Sequence, residues 1–217
     1  KTLTITAAPT SNAGTPIVIC STSGAINITA GASATNHTSV LWTSSGSGTF
    51  TSATSMSFCT YNPSAADKLA GSVTLTLSAN RAGCGSVTST KTLTITPVAT
   101  VSAGSSLNVC ATSGSINITA GSTAANYSTV TWSSSGTGTF TNANSLTTCT
   151  YAPSAADVTA GSVTITLTAI GNTPCGNAVS NKTLTINSVP TVAAGTAIST
   201  CSTSGGVNIT AGANATD

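Results

Sequence analysis

Charge is the scarcest property of this sequence. Among 217 residues only 4% are charged, the net charge is +2, no Glu occurs, and the acids are Asp67, Asp157 and Asp217. A nucleic-acid binder neutralises phosphates with a basic stripe, and five scattered Lys and Arg make none. Nucleic acid is therefore excluded as a partner. Calcium sites need several oxygen ligands, generally with two or more acids close together, and three isolated Asp residues do not supply them. With no CxxC pair and a single His, His37, the sequence offers no zinc set either. No metal and no cofactor is expected. Long apolar runs are also missing, since each short one is broken by Thr or Ser, so no membrane insertion is expected. Aromatic residues make up only 4%, which argues against the exposed rings of a sugar-binding platform.

What is abundant is repetition. Lys1-Thr-Leu-Thr-Ile-Thr returns at Lys91 and again, as Lys182-Thr-Leu-Thr-Ile, at Lys182, while Trp42, Cys59 and Tyr61 recur at Trp132, Cys149 and Tyr151. The period of 90 to 91 residues (1 to 91, 91 to 182) is too long for a solenoid turn or propeller blade and matches a whole small domain. We divide the chain into a last strand of a preceding repeat at 1–7, repeats at 8–96 and 97–187, and the first strands of a further, truncated repeat at 188–217. No charged start with an apolar run and cleavage site appears, and Lys1 already lies inside a repeat, so the sequence reads as a window cut from a longer protein.

Within each repeat, Thr or Asn alternates with apolar residues, as in Ile26-Asn-Ile and Val73-Thr-Leu-Thr-Leu, and Gly, Ser and Asn clusters punctuate every eight to twelve residues. That is the rhythm of an all-β, antiparallel sandwich. In the first repeat, strands A to G are expected near 15–20, 25–31, 38–44, 48–51, 56–61, 72–80 and 91–96. Trp42 on the third strand and Tyr61 before a bend fit the core Trp and corner aromatic of an immunoglobulin-type sandwich, and Trp132 and Tyr151 are their copies. Ser64 with Asp67 three residues on, and Ser154 with Asp157, read as capping boxes closing one helical turn between strands E and F. Pro97 and Pro190 follow last strands and mark short, stiff junctions, as Pro9 does.

Catalysis finds no residues to rest on. His37 is replaced by Tyr127 one period later, and a repeat with a single Asp cannot pair two carboxylates. Gly46-Ser-Gly48 and Gly136-Thr-Gly138 lead from strand to strand rather than into a helix, and read as turns. Sequons such as Asn27-Ile-Thr, Asn36-His-Thr and Asn117-Ile-Thr arise easily in so Thr-rich a chain.

The run from Cys59 to Leu77, repeated from Cys149 to Leu167, resembles the tandem Ig-like or PKD-like repeats of giant cell-surface proteins from Bacteroidota. Trp42 followed by Gly46-Ser-Gly-Thr-Phe50, a Cys before the second strand, and Gly83-Cys-Gly85 between the last two strands add to the likeness. The resemblance covers the whole chain. It implies tandem immunoglobulin-like sandwiches as beads on a string, secretion by the type IX route, and an extracellular role in adhesion, gliding or matrix, as a rod or a laterally packed fibre. Cys59 and Cys149 depart from it, standing where a non-Cys residue is usual.

Seven cysteines recur in register: Cys20, Cys59 and Cys84, then Cys110, Cys149 and Cys175, then Cys201. Disulfides in an oxidising setting are the expected use. In the assumed topology Cys20 and Cys59 lie at one end of a repeat and Cys84 at the other, roughly 20 to 25 Å away, whereas a disulfide needs Cα atoms within about 7 Å. Cys20 with Cys84 is thereby disfavoured. Cys20 with Cys175 across a junction is the favoured pair, with Cys59 left free or linking a neighbouring chain, and Cys20 with Cys59 is its rival. The partners expected are the chain itself and its neighbours. Surface glycans are the alternative from another functional class, with exposed aromatics and Asn as contacts.

Overall fold

The computed structural model describes residues 1–203 and 205–216; Ser204 and Asp217, the last of the three acids, lie outside the described residues. The first repeat runs β1 (Thr10–Asn12), β2 (Ile17–Cys20), β3 (Ile26–Asn27), β4 (Ser33–Thr35), β5 (Ser39–Ser44), β6 (Thr49–Thr51), β7 (Thr60–Asn62), α1 (Ala65–Ala70), β8 (Ser72–Arg81) and β9 (Gly85–Thr96). The second repeats it as β10 (Thr100–Ser102), β11 (Leu107–Cys110), β12 (Ile116–Asn117), β13 (Thr123–Ala125), β14 (Tyr127–Ser134), β15 (Thr139–Thr141), β16 (Thr150–Ala152), α2 (Ala155–Ala160), β17 (Ser162–Gly171) and β18 (Ala178–Asn187). A last pair, β19 (Thr191–Ala193) and β20 (Asn214–Thr216), copies the pairing of β1 with β4.

Each repeat has one sheet of four strands, β2-β9-β8-β5 or β11-β18-β17-β14, and one of three, β3-β7-β6 or β12-β16-β15. This is the strand arrangement of an immunoglobulin-like sandwich, so the chain is a tandem of Ig-like β-domains. Alternation builds the core. On β8, Val73, Leu75, Leu77 and Ala79 point inward while Ser72 and Thr74 face solvent. Leu93 and Ile95 come in from β9, Trp42 and Tyr61 from β5 and β7, and Ile28, just past β3, closes the core.

Four expectations are corrected. The sandwich is not wholly antiparallel, because β2 runs parallel to β9 with Ile17 opposite Leu93 and Cys20 opposite Thr96. The second strand is cut to Ile26–Asn27 because the Asn27 side-chain oxygen accepts the Thr29 N–H at 2.8 Å, turning the chain locally. The fifth begins at Thr60 rather than near 56, since the Ser55 hydroxyl accepts the Phe58 N–H and holds the preceding residues in a turn. Lys1–Ala7, expected as a last strand, carries no strand, and Leu3 and Ile5 are exposed.

By backbone proximity the chain forms two compact units. One comprises Lys1–Thr100 with Ala124–Thr129 and Ala169–Ala178, the other Val101–Thr123, Val130–Thr168 and Val179–Asp217. The F–G turn of the second repeat, with Cys175, thus belongs to the same unit as the first repeat.

Candidate functional site

The cysteines divide by environment. Cys20 ends β2 and is bonded to Cys175, 155 residues away, with Cα atoms 5.0 Å apart. Its rivals, Cys59 within the repeat and Cys84, are both free. Parallel pairing positions the bond: Cys20 lies opposite Thr96, and the Cys175 sulfur lies 3.2 Å from the Thr96 carbonyl oxygen. Around it the Val98 N–H donates to the Ser21 hydroxyl at 3.3 Å and the Asn126 amide donates to the Val98 carbonyl at 3.2 Å.

Cys59 and Cys149 are fully buried. Linking a neighbouring chain needs an accessible sulfur, so that role for Cys59 is corrected: its thiol fills the core. Burial pushes the Cys149 thiol up to about 11 against a weaker opposing pull from the Lys182 ammonium, and burial raises Cys59 as well. Cys84 is partly exposed, and Cys110 and Cys201 are exposed. Hydrogen bonds from the Thr112 hydroxyl and backbone hold the Cys110 thiol below its ordinary range, and Thr203 does the same for Cys201. A pKa near 11 in place of 9.0 reduces thiolate on the order of a hundredfold. Native-state alkylation at pH 8 is therefore expected to label Cys110 at least about a hundred times faster than Cys149. Comparable rates, measured by peptide mass spectrometry after timed quenching, would contradict the burial.

The carboxylates sit at the corner between strands E and F. Ser64 caps α1 by accepting the Asp67 N–H at 3.1 Å, while Asp67 accepts the Ser64 N–H at 3.0 Å; Ser154 and Asp157 do the same for α2. Sequence reasoning missed the rest of the arrangement. The Tyr61 hydroxyl donates to Asp67 at 2.6 Å and accepts the Gly48 N–H at 3.0 Å, and the Ser47 N–H donates to Asp67 at 3.0 Å. Gly46 and Gly48 are more than turn residues. A Cβ on Gly46 would stand 2.2 Å from the Asp67 oxygen, and one on Gly48 would stand 2.5 Å from the Tyr61 ring. The Gly-x-Gly turn is thus the backbone cradle of the buried carboxylate. Burial raises the Asp67 pKa, but the Tyr61 hydroxyl and the N–H groups of Ser64 and Ser47 outweigh it, and the net direction is down. Buried and held by three donors, the Asp67 carboxylate acts as a structural clasp.

No protein-family model matches the chain, and no curated protein matches it in sequence. Among solved structures it is similar to the I-band fragment I67-I69 from titin, at 13% identity and a TM-score of 0.49 over 85% of this chain and 67% of that one. It is also similar to Sidekick-1 immunoglobulin domains 1-5, at 13% identity and TM-score 0.48, covering 86% and 40%. A third is the Protocadherin Gamma B2 extracellular cadherin domains 3-6, at 14% identity and TM-score 0.46, covering 86% and 50%. The chain spans about half the length of that protocadherin fragment.

Two buried cations complete the inventory. Lys91 and Lys182 sit inside the sandwiches, each donating to a backbone carbonyl, Ile28 and Ile118 respectively, and each lies over a Trp ring, Trp42 at 5.3 Å and Trp132 at 5.2 Å. Burial lowers the pKa of both ammonium groups. Alternation held the signal, because Lys91 shares its face with Leu93 and Ile95. The recurring Asn-Ile-Thr sequons are also structural: Asn27, Asn117 and Asn208 each accept both the N–H and the hydroxyl of the Thr two places on. Among the described residues no cluster could hold a metal ion, and no helix is long and apolar enough to cross a membrane.

Proposed function

We propose that the chain is a load-bearing segment of Ig-like repeats in a secreted bacterial surface protein, a spacer that holds a functional region away from the cell or packs side by side into a fibre. The Cys20–Cys175 bond carries this reading. Tension applied at the two ends of the chain passes through the sulfurs and bypasses residues 21–174, which hold most of both repeats. Such a bond persists in oxidising, extracellular surroundings, and the likeness to surface repeats of Bacteroidota supports secretion by the type IX route. The sugar-binding alternative loses its strongest contacts, because Trp42 and Trp132 are both core residues.

Single-molecule pulling tests the load path. A separation of 155 residues between the bonded cysteines, at about 3.5 Å per residue, hides roughly 500 Å of contour length. We expect that length to be released only after reduction or in Cys20→Ser. Equal extension with and without reductant would remove the proposed role.

Lateral packing is expected to depend weakly on salt. The outer strands β5 and β6 carry no charged residue, although the edge of β5 is partly covered where the Trp42 backbone N–H donates to the Ala53 carbonyl. Electron micrographs of concentrated protein from low to high salt are the check. Strictly monomeric particles throughout would count against a fibre, and retention on a glycan array would favour the alternative.

A further inference from the structure

We propose that Cys84 is the receiving half of a second staple, closed by a Cys20-type thiol on another Ig-like repeat whose last strand is Lys1–Thr6. This rests on the load-bearing reading and extends it, for staples at successive junctions would give tension a covalent path along the whole array.

The argument begins with register. Cys84 lies in the turn between β8 and β9, as Cys175 lies between β17 and β18. Thr6 occupies the place in Lys1-Thr-Leu-Thr-Ile-Thr that Thr96 occupies in Lys91-Thr-Leu-Thr-Ile-Thr. The surroundings of the two sulfurs agree. Cys84 Sγ reaches the Thr6 carbonyl at 3.5 Å, as Cys175 Sγ reaches that of Thr96 at 3.2 Å. The Asn36 amide donates to the Ala8 carbonyl at 3.2 Å, as the Asn126 amide donates to the Val98 carbonyl at 3.2 Å. Beyond each Asn the same support recurs: Arg81 donates to the Asn36 carbonyl at 3.0 Å, and the Asn172 amide to that of Asn126 at 3.3 Å.

The receiving site is thus assembled around Cys84 before any partner thiol arrives. What delivers Cys20 to Cys175 is parallel pairing opposite Thr96. A repeat that contributed its own β2-type strand beside Lys1–Thr6 would put its cysteine opposite Thr6, next to Cys84. Leu3 and Ile5 are exposed, whereas their counterparts Leu93 and Ile95 are buried in a sandwich, so this segment has an apolar face suited to that repeat. The donating half is also present in this chain. Cys110 ends β11 exposed and free, opposite Asn187 in the same parallel register that Cys20 has with Thr96.

Closure converts two thiols into one disulfide. Two protons and two electrons leave the pair, and a low-molecular-weight disulfide such as oxidised glutathione takes them up and becomes two thiols.

The test extends the chain at Lys1 with an in-frame copy of residues 8–90, so that Lys1–Thr6 follows the copy as Lys91–Thr96 follows Thr90. In the copy, Cys84→Ser keeps the peptides distinguishable. After folding in a glutathione buffer, alkylation and non-reducing peptide mapping, the expected result is two cross-linked pairs: Cys20 with Cys175, and the copy's Cys20 with Cys84. Cys84 should then change from fully alkylated in the parent chain to protected, and return to fully alkylated when the copy also carries Cys20→Ser. Complete alkylation of Cys84 in the extended chain, with Cys20–Cys175 intact, overturns this proposal and leaves the load-bearing reading standing. Absence of both cross-links overturns both.

Discussion

Trp42→Ala is expected to lower the stability of the first repeat by about 3 to 5 kcal/mol, the usual consequence of emptying a core aromatic site. The indole is almost wholly buried between the sheets, and its ring faces the Lys91 ammonium at 5.3 Å. Truncation therefore leaves a cavity and strips a buried cation of one partner. A comparison with Phe separates packing from hydrogen bonding. The Trp132 indole N–H donates to the Ser145 carbonyl at 2.9 Å, whereas the Trp42 indole N–H is buried without a protein acceptor. Replacing a bonded N–H leaves a carbonyl unpaired, while replacing an unbonded one removes a polar group that burial already penalised. Trp132→Phe should thus cost about 1 kcal/mol more than Trp42→Phe. The sequence holds two Trp, one per repeat, so denaturant unfolding followed by fluorescence reads the second repeat alone in Trp42→Ala. Circular dichroism follows the first. The second repeat's midpoint should barely move under reducing conditions. A loss below about 1 kcal/mol in the first repeat would place Trp42 outside the core.

Much of this structure was legible because each repeat states its pattern twice. Alternation in Val73-Thr-Leu-Thr-Leu announces a half-buried strand, and β8 has that form. Ser64 and Asp67 stand at capping-box spacing, and the box is present. Direction of pairing was not legible, since an edge strand such as Ile17–Cys20 has the same composition whether its neighbour runs parallel or antiparallel. Nor was the clasp, which joins Ser47 and Gly48 to Asp67 and Tyr61, 20 and 13 positions away, through backbone N–H groups that leave no mark in composition. Lys91 and Lys182 are the instructive case. Their register with Leu93 and Leu184 pointed inward, but the expectation that charge stays outside concealed it. A buried ammonium is acceptable here because a carbonyl and an indole face take the place of water.

Asp157→Asn is expected to destabilise the second repeat by about 3 to 5 kcal/mol and to remove most of its sensitivity to acid. The two carboxylate oxygens receive four donors: the N–H groups of Thr137, Gly138 and Ser154 at 2.9 Å each, and the Tyr151 hydroxyl at 2.7 Å. An amide replaces one acceptor oxygen with an NH2 group, so at least one buried donor faces another donor. The neighbours cannot yield, because a Cβ on Gly136 would already stand 2.2 Å from the carboxylate. Burial alone would raise the Asp157 pKa, but the Tyr151 hydroxyl and the N–H groups of Ser154 and Thr137 outweigh it and bring it from 3.8 to about 2. A group whose pKa falls on folding stabilises the fold above its unfolded value and loses that contribution as pH drops toward its folded one. The window is therefore pH 4 down to about 2, and the drop corresponds to about 2 kcal/mol. Urea unfolding read by Trp132 fluorescence should show the parent's second repeat weakening across that window. Asp157→Asn should stay nearly flat there, starting from a lower stability at pH 7. If the variant instead follows the parent's acid profile, the clasp is not where the second repeat's acid sensitivity resides, and the four donors are held by something other than the charge.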